Sequence, residues 1–525
     1  MDGEKSIKDP VHGYIKIPRE YCRLFVDTPI FQRLRLIEQT SMRWLFPGAR
    51  HDRFIHSLGV YHLATRIYAA LEENVKDGEI SKILKDSSNL KSTFLVASLM
   101  HDCGHSPFSH TFEKFYNRNM DGTLHDGAFK ALKKIVPAKD SADLDFTKIG
   151  VKQPAPHEAM SAFVLLTQFS DAMSGVGADP GLAARMITGA SYKNPSNTKD
   201  KVANVLIELV NGSALDVDKL DYIIRDTWAS GVKNTAIDVD RLVHGATIVR
   251  TQNQDGDCAI NFAFKKSSIS VVQSVIDARN YLYDWIYGHH TVLYYSHLLE
   301  MAVVSFARQY ANANHTIANA VLQRMFSPEM FRQGMPLAKT GGLKAYLLSD
   351  GDILHCLKMF VPDDPNYVSY LSHKPRHVPL WKTGVEYRKS VDAKHQFSVK
   401  ADVCISKIRR QFKLSADECF ACSDMTMKIY DLKDDSVKIE ISNNEVLPIT
   451  AVTHLPKHPH LTSGMTESLF YIYLANEKQS LKKQIIDFIN EMDVCKLDYC
   501  TCRYAPNGKV CDARNHKSCH RFRRH

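Results

Sequence analysis

The apolar run Phe94-Leu-Val-Ala-Ser-Leu-Met100 leads directly into His101-Asp102. A segment hydrophobic on every side reads as an interior helix, so the pair at its end is carried into the protein. An imidazole and a carboxylate buried without partners would be costly. A metal ion or a tight hydrogen-bond network is therefore expected there, and adjacent His and Asp side chains can both reach one ion when a buried helix fixes their backbone. The dipeptide alone carries no weight, because it recurs at His51-Asp52 and at His125-Asp126, the latter followed by Gly127 in a polar stretch. Context separates the copies.

Two other segments offer the remaining ligands. Arg53-Phe-Ile-His56-Ser-Leu-Gly-Val begins an amphipathic helix running to about Leu71, with His56 one turn after Arg53. Far downstream, Leu215-Asp-Val-Asp218-Lys219-Leu-Asp221-Tyr222-Ile-Ile-Arg225-Asp226 has helical periodicity and carboxylates at its start. Asp218 closes a set of two histidines and two aspartates with His56, His101 and Asp102. Mixed imidazole and carboxylate ligation suits Zn, Fe, Mn or Mg and leaves positions for water and substrate oxygens. Such an ion would polarise a phosphoryl oxygen and lower the pKa of bound water. Arg53, Lys219, His105 and His110 lie near enough in sequence to supply cations and protons for a leaving group.

The order H…HD…D is that of the HD phosphohydrolases, and the flanks narrow it. Lys8-Asp-Pro-Val-His-Gly-Tyr14, Asp27-Thr-Pro-Ile-Phe-Gln-Arg-Leu-Arg35, Phe46-Pro-Gly48, Arg53-Phe-Ile-His-Ser-Leu-Gly59, His101-Asp-Cys-Gly-His-Ser-Pro-Phe-Ser-His110 and Asp216-Val-Asp-Lys-Leu-Asp-Tyr222 together resemble the SAM-and-HD-domain dNTP triphosphohydrolases. The resemblance covers roughly residues 5 to 300, weakens to about 485 and is absent beyond; with the first motif within ten residues of Met1, no N-terminal SAM domain is expected. It implies that water attacks the α-phosphorus of a deoxynucleoside triphosphate and releases triphosphate and a deoxynucleoside. His110 is then the general acid on the 5′ oxygen, His157 lies near the phosphates, and Glu158 orients a histidine. Arg279, Tyr283 and Tyr287 form an i, i+4, i+8 stripe, an arrangement usually found in a core. The resemblance instead puts Arg279 on phosphate and Tyr287 against the sugar, where it would exclude a 2′ hydroxyl. Tyr222, Asp226 and Gln39 match sugar-contacting positions. Thr40 and Gly288 stand where the mammalian pattern has Leu and Gln, which leaves base selection open.

The resemblance also implies a second nucleotide site. Asp27, Gln32 and Arg35 match residues that read a guanine nucleotide bridging subunits, and Lys5 matches a phosphate contact. Arg241 and Arg376 have counterparts there, while Val271 and Ser267 replace an Asn and a Lys. GTP or dGTP would then activate a dimer-to-tetramer assembly. The plainer reading is that Asp27 caps the helix starting at Thr28-Pro29 and Arg35 lies on its solvated face. Members of the family deplete dNTPs to restrict viruses or phages, so antiviral defence is implied by resemblance.

A chain of 525 residues, 44% hydrophobic and 24% charged, can bury a large core. The expected fold is mainly α: an all-α HD core over residues 1–330, an α+β lobe over 331–490 and a Cys-rich basic tail over 491–525. Strands are expected at Thr426-Met-Lys-Ile-Tyr430 and Ser436-Val-Lys-Ile-Glu-Ile-Ser442, and a helix from Ser480 to Met492. No membrane-length apolar stretch occurs and Met-Asp-Gly-Glu-Lys is no signal peptide, which predicts the cytoplasm or nucleus. The net charge of +9 favours a polyanionic partner, nucleotide phosphates or nucleic acid. In the tail, Cys495, Cys500, Cys502, Cys511 and Cys519 with His516 and His520 admit a zinc reading beside that of a flexible basic tail. Alternatives to the triphosphohydrolase are an HD-type phosphodiesterase or nuclease, or a nucleic-acid-binding protein.

Overall fold

A computed structural model describes residues 3–117, 127–146, 153–212, 215–232, 237–252, 258–310, 315–331, 346–382, 401–423, 437–442, 445–453 and 470–491. The chain divides into two compact units, residues 1–372 with 432–456, and residues 373–431 with 457–525.

The first unit opens with an antiparallel hairpin, β1 (Glu4–Asp9) and β2 (Gly13–Pro18), in which Asp9 faces Gly13 across the turn. The expected helix at Arg53 is α1 (Arg53–Asn74), begun by Asp52, whose side chain accepts from Ile55 N at 3.0 Å. A short α2 (Gly78–Asp86) precedes α3 (Ser88–Met100), in which every residue from Thr93 to Met100 is buried, as the apolar run requires. Next come α4 (Pro156–Gln168), α5 (Pro180–Thr188), α6 (Thr198–Val210) and α7 (Val217–Ser230). Local chemistry sets their ends. Proline at the first position of α4 and α5 costs no hydrogen bond, Asp216 caps α7 through Lys219 N, and α7 stops at Gly231 with φ +73°. Strands β3 (Ala246–Gln252) and β4 (Cys258–Lys265) follow, then α8 (Ile269–Tyr281), a π-helical turn at Leu282–Tyr287, α9 (His290–Tyr310), α10 (Asp350–Phe360) and α11 (Pro365–Ser372).

The second unit begins with β5 (His377–Lys382), α12 (Ala401–Phe412) and β6 (Cys419–Ser423). The chain then returns to the first unit with β7 (Lys438–Ser442) and β8 (Glu445–Pro448), completing a sheet of order β3-β4-β7-β8. It ends the described second unit with β9 (Phe470–Ala475), central in the order β5-β9-β6, and α13 (Lys482–Glu491). Ile408, Cys419, Ile472, Leu474 and Ile485 form that unit's core.

The protein is mainly α, as expected, with three differences. The helical reading up to residue 330 missed β3 and β4, which flank the polar stretch 252–257; Phe264 of β4 pairs in parallel with Ile439 of β7, a partner far off in sequence. The expected strand near 436–442 is present but belongs to this sheet rather than to the lobe. Likewise the boundary expected at residue 330 falls at Ser372, because α11 packs on α9. The expected strand at 426–430 and the Cys-rich tail lie outside the described residues. Among the described residues no helix is long and apolar enough to cross a membrane.

Two helices close on the turn after His101-Asp102. Gly104 N donates to Ser161 Oγ of α4 at 3.0 Å, and a Cβ on Gly104 would sit 2.4 Å from Ser161 N. Backbone, not a movable side chain, occupies that space. Gly104→Ala should therefore destabilise the protein by about 1–3 kcal/mol, read as a lower denaturant midpoint; an unchanged midpoint would mean that α3 and α4 are not locked together here.

Candidate active site

Helices α1, α3 and α7 bring His56, His101 and Asp102, and Asp218 together. His56 Nε2 lies 3.0 Å from Asp218 Oδ1 and 3.6 Å from Asp102 Oδ2; His101 Nε2 lies 3.6 Å from Asp218 Oδ1 and 3.5 Å from Asp102 Oδ1. Among the described residues, both Nε2 atoms are buried with no contact that meets hydrogen-bond geometry. Their Nδ1 atoms are engaged: His56 Nδ1 with Asp221 Oδ2 at 2.7 Å and His101 Nδ1 with Ser98 O at 3.0 Å. An Nδ1–H held by an oxygen leaves the Nε2 lone pair for a metal. His56, His101 and Asp218 converge closely enough to hold one ion, with Asp102 beside them.

Electrostatics point the same way. Burial opposes a charge on His56, yet Asp218 and Asp221 raise its pKa to about 9. Burial would raise Asp218 and Asp102, but His101 and His56 hold Asp218 well below the carboxylate range, and Arg53 with the same histidines does so for Asp102. A positive charge is favoured at this point, and a divalent cation is one that these side chains could hold.

Sequence reasoning missed the support around His56. Asp221, fully buried, also accepts from Arg225 at 2.8 and 3.0 Å and lies 2.6 Å from His12 Nε2. Arg225 reaches Asp9 Oδ2 at 2.9 Å, which ties in the β1–β2 turn. A Cβ on Gly59 would lie 1.9 Å from Asp221 Oδ1, so α1 needs a glycine where it passes this carboxylate. The Asp-Tyr that ends the Asp216–Tyr222 motif was the available signal.

A second cluster adjoins the first through Arg53. Arg53 Nη1 donates to Asp102 Oδ2 at 2.6 Å, Nε to Ser109 Oγ at 2.9 Å and Nη2 to Gln39 O at 3.2 Å, and Nη2 lies 3.3 Å from His110 Nε2. It is an organiser as much as a cation. His105, His110 and His157 gather beside it, with the His105 and His157 rings stacked at 4.2 Å. Glu113 binds two of them, His157 Nδ1 through Oε2 and His110 Nδ1 through Oε1 at 3.2 Å. Sequence analysis did not select Glu113; its position one turn after His110 was the only cue. Glu158, expected to orient a histidine, instead accepts from Ala155 N at 2.8 Å at the start of α4, so the orienting carboxylate is Glu113. His105, expected to supply charge or a proton, is pushed well below its usual pKa by burial and then by Arg53, His157 and His110. It is neutral, and neither ring nitrogen has a partner. Phe108 and Ser109 hold φ of +54° and +50° just before His110, a conformation costing about 1–3 kcal/mol per residue.

The residues expected at the sugar lie on one wall. Tyr287 OH donates to Asp226 Oδ2, and His51 Nε2, another residue not selected, lies 2.6 Å from Asp226 Oδ1. Tyr222 OH is 3.4 Å from Tyr283 OH, and Arg279 sits 4.9 Å over the Tyr283 ring. Gln39 Oε1 is buried without a hydrogen-bond partner among the described residues. Thr40 accepts from Met42 N at 3.4 Å. Lys219 is engaged by its own helix start, donating to Gly212 O at 2.9 Å and to Asp216.

The residues expected to bind an activator have partners of their own. Lys5 pairs with Asp27 at 3.4 Å, Gln32 accepts from Arg35 Nε at 2.9 Å, and Arg35 covers the Phe54 ring at 3.5 Å. Asp27 is not the cap of the following helix; Thr28 is. Arg241 Nε donates to Ser267 O at 2.7 Å, and Arg376, in the second unit, pairs with Asp417.

Asp218→Ala removes an anionic ligand that no neighbour replaces, and should abolish both bound metal and hydrolysis. Asp221→Asn, which leaves the four presenting side chains in place but removes the charge shared by His56, His12 and Arg225, should weaken metal affinity roughly 10–100-fold. Chelator competition with elemental analysis measures both, and a metal-replete, fully active Asp218→Ala protein would dismiss this centre.

An HD-domain family model matches residues 53–145, which include His56, His101 and Asp102. The deoxynucleoside triphosphate triphosphohydrolase SAMHD1 of Bos taurus is 29% identical over 300 residues, 55% of this chain and 45% of that protein; its Gallus gallus counterpart is 30% identical over 294 residues, 54% and 42%. The uncharacterized protein YwfO of Bacillus subtilis is 26% identical over 294 residues, 55% and 53%. The matched region thus spans about half the length of these relatives. A crystal structure of a hypothetical protein from Aquifex aeolicus shares the fold at a TM-score of 0.58 and 19% identity, covering 92% of this chain and 100% of that one. Residues 53–145 thus match an HD domain, and the chain is similar over about half its length to the SAM-and-HD-domain dNTP triphosphohydrolases.

Proposed function

We propose that this protein is a metal-dependent hydrolase that splits deoxynucleoside triphosphates into deoxynucleoside and triphosphate. The observation that carries the reading is Arg53, which joins a carboxylate beside the metal-binding group to a histidine cluster that can protonate a leaving group. When bound, the divalent ion, Zn, Fe, Mn or Mg, would polarise the α-phosphoryl oxygen and lower the pKa of water. The chain's own residues do the rest. His157, kept cationic by Glu113, neutralises charge on the phosphates. His110, whose Nε2 accepts from Arg53 Nη2 here, would deliver a proton to the 5′ oxygen from Nε2 once substrate displaces that contact, with Glu113 on Nδ1 supporting the imidazolium in between. Neutral His105 offers an uncharged donor or acceptor to phosphate or water. Gln39, Tyr222, Asp226 and Tyr287 form the sugar wall, where the Tyr287 ring leaves little room for a 2′ hydroxyl. Arg279 and Lys219 add positive charge. A guanine nucleotide, GTP or dGTP, would exchange the Lys5–Asp27 and Gln32–Arg35 pairings for its own edge and phosphates, with Arg241 and Arg376 as further contacts, and promote a homo-oligomer.

Product analysis tests this directly. Metal-loaded protein given dATP should release triphosphate and deoxyadenosine, with ATP turned over far more slowly, and GTP should raise both rate and sedimenting mass. Release of diphosphate or monophosphate, or cleavage of a single-stranded oligonucleotide in place of dATP, would instead favour an HD phosphodiesterase or nuclease.

The pH profile reads the histidine cluster. Burial disfavours a charge on His157, but the Glu113 carboxylate and its hydrogen bond lift its pKa to about 9. The imidazolium is thus present below about 9 and lost as pH rises through it. Glu113→Gln removes the charge that raises it, so the alkaline limb of kcat/KM should move down by roughly two pH units, toward an ordinary histidine. A limb that stays in place assigns it to another group.

A further inference from the structure

We infer that Asp350 is a positioning residue for the reaction, holding the loop of His110 and the loop of Gln39 in working register from the start of α10. The inference rests on the reading of His110 as the acid. Asp350 lies outside the HD-family match and 242 residues from its contact in the loop. Its two carboxylate oxygens are divided between two backbone amides: Oδ1 accepts from Phe108 N at 2.6 Å and Oδ2 from Glu38 N at 2.8 Å. Each amide belongs to a residue at most two positions from a proposed contact with substrate, His110 in one case and Gln39 in the other. The two loops are joined again beside Asp350, because Ser109 Oγ donates to Glu38 O and accepts from Arg53 Nε at 2.9 Å.

The loop needs holding. Phe108 and Ser109 sit consecutively at positive φ, where L residues are disfavoured, and such a pair persists only when its surroundings over-determine it. Asp350 supplies the contact at the first of them. The carboxylate is itself well seated: α10 begins at Asp350, where the helix dipole favours an anion, and Arg33 Nε donates to Leu348 O at 2.7 Å just before it. Arg43 bridges the same region, pairing with Glu38 at 2.8 Å and reaching Tyr370 OH at 3.3 Å. Helix α10 therefore acts as a fixed post against which both loops are registered.

An amide at this position cannot do the same. Asp350→Asn turns one acceptor into a donor facing a backbone N–H, so one loop is released while volume is conserved. The substrates are dATP and its analogue with sulfur at the 5′ bridging position, whose thiolate leaves without protonation. Rates are expressed per bound metal. On dATP, Asp350→Asn should lower kcat by on the order of 100-fold, the scale of lost general-acid catalysis, with KM and metal content nearly unchanged. On the sulfur analogue most of the loss should vanish, as it should for His110→Ala. The double variant should be no slower than His110→Ala alone. Asp350→Glu keeps the charge and both acceptors at shifted positions; it should show a smaller kcat loss with the same KM, and it serves as the test variant if the Asn protein does not fold. A kcat per metal equal to wild type in these variants, or a loss equal on both substrates, overturns the positioning role while leaving the reaction intact. A wild-type protein that yields no triphosphate overturns the reaction and the positioning role together, whereas a fully active His110→Ala protein leaves the reaction standing and overturns the acid role of His110 with the positioning role built on it.

Discussion

Everything at the metal-binding group hangs on Asp221, a carboxylate without solvent that is met by His56, His12 and Arg225. A buried charge is tolerated only when its donors replace water, and here three side chains do so. Its bond to His56 Nδ1 decides which nitrogen faces the cleft. Through Arg225 and Asp9 it also anchors the N-terminal hairpin, whose turn Asp9 closes by accepting from Val11 N at 2.8 Å and His12 N at 2.6 Å. The metal-binding imidazole and the first strands are thus one electrostatic unit, although more than two hundred residues separate Asp9 from Arg225.

Around that unit the structure sorts charge by environment. Two histidines stacked at 4.2 Å cannot both be cations at low cost, and the protein separates them: Glu113 keeps His157 charged, while burial and neighbouring positive groups keep His105 neutral. Groups of one chemical type are given different protonation states by their surroundings, the usual way a site assembles distinct acid, base and electrostatic roles. Arg53 spans the two halves, so the register between the Asp102 side and the His110 side of the site is carried by one guanidinium.

Much of this was legible before any coordinates. The Thr93–Met100 interior helix, the α1 start at Arg53 and the α7 periodicity come from hydrophobic pattern and capping, which are local. His56, His101, Asp102 and Asp218 were found because motif order survives in one dimension. The misses were non-local. Glu113 and His51 carry no motif weight of their own and become visible only when His157 and Asp226 arrive beside them. Strand β7 paired with β4 across more than 170 residues, and no periodicity reports a partner.

The amino-acid sequence alone determined the mainly α architecture, the choice of His56, His101, Asp102 and Asp218 as candidate metal ligands and the resemblance to HD phosphohydrolases, since each rests on spacing or residue type within short windows. Tertiary structure decided the rest. It determined which nitrogen of each histidine is free, that Glu113 and not Glu158 holds the histidine cluster, that Lys219 is tied to Asp216, and that Asp350 reaches back to the His110 loop. These are consequences of burial and of contacts between distant segments, where low dielectric makes each unpaired donor or acceptor expensive enough to select a single arrangement.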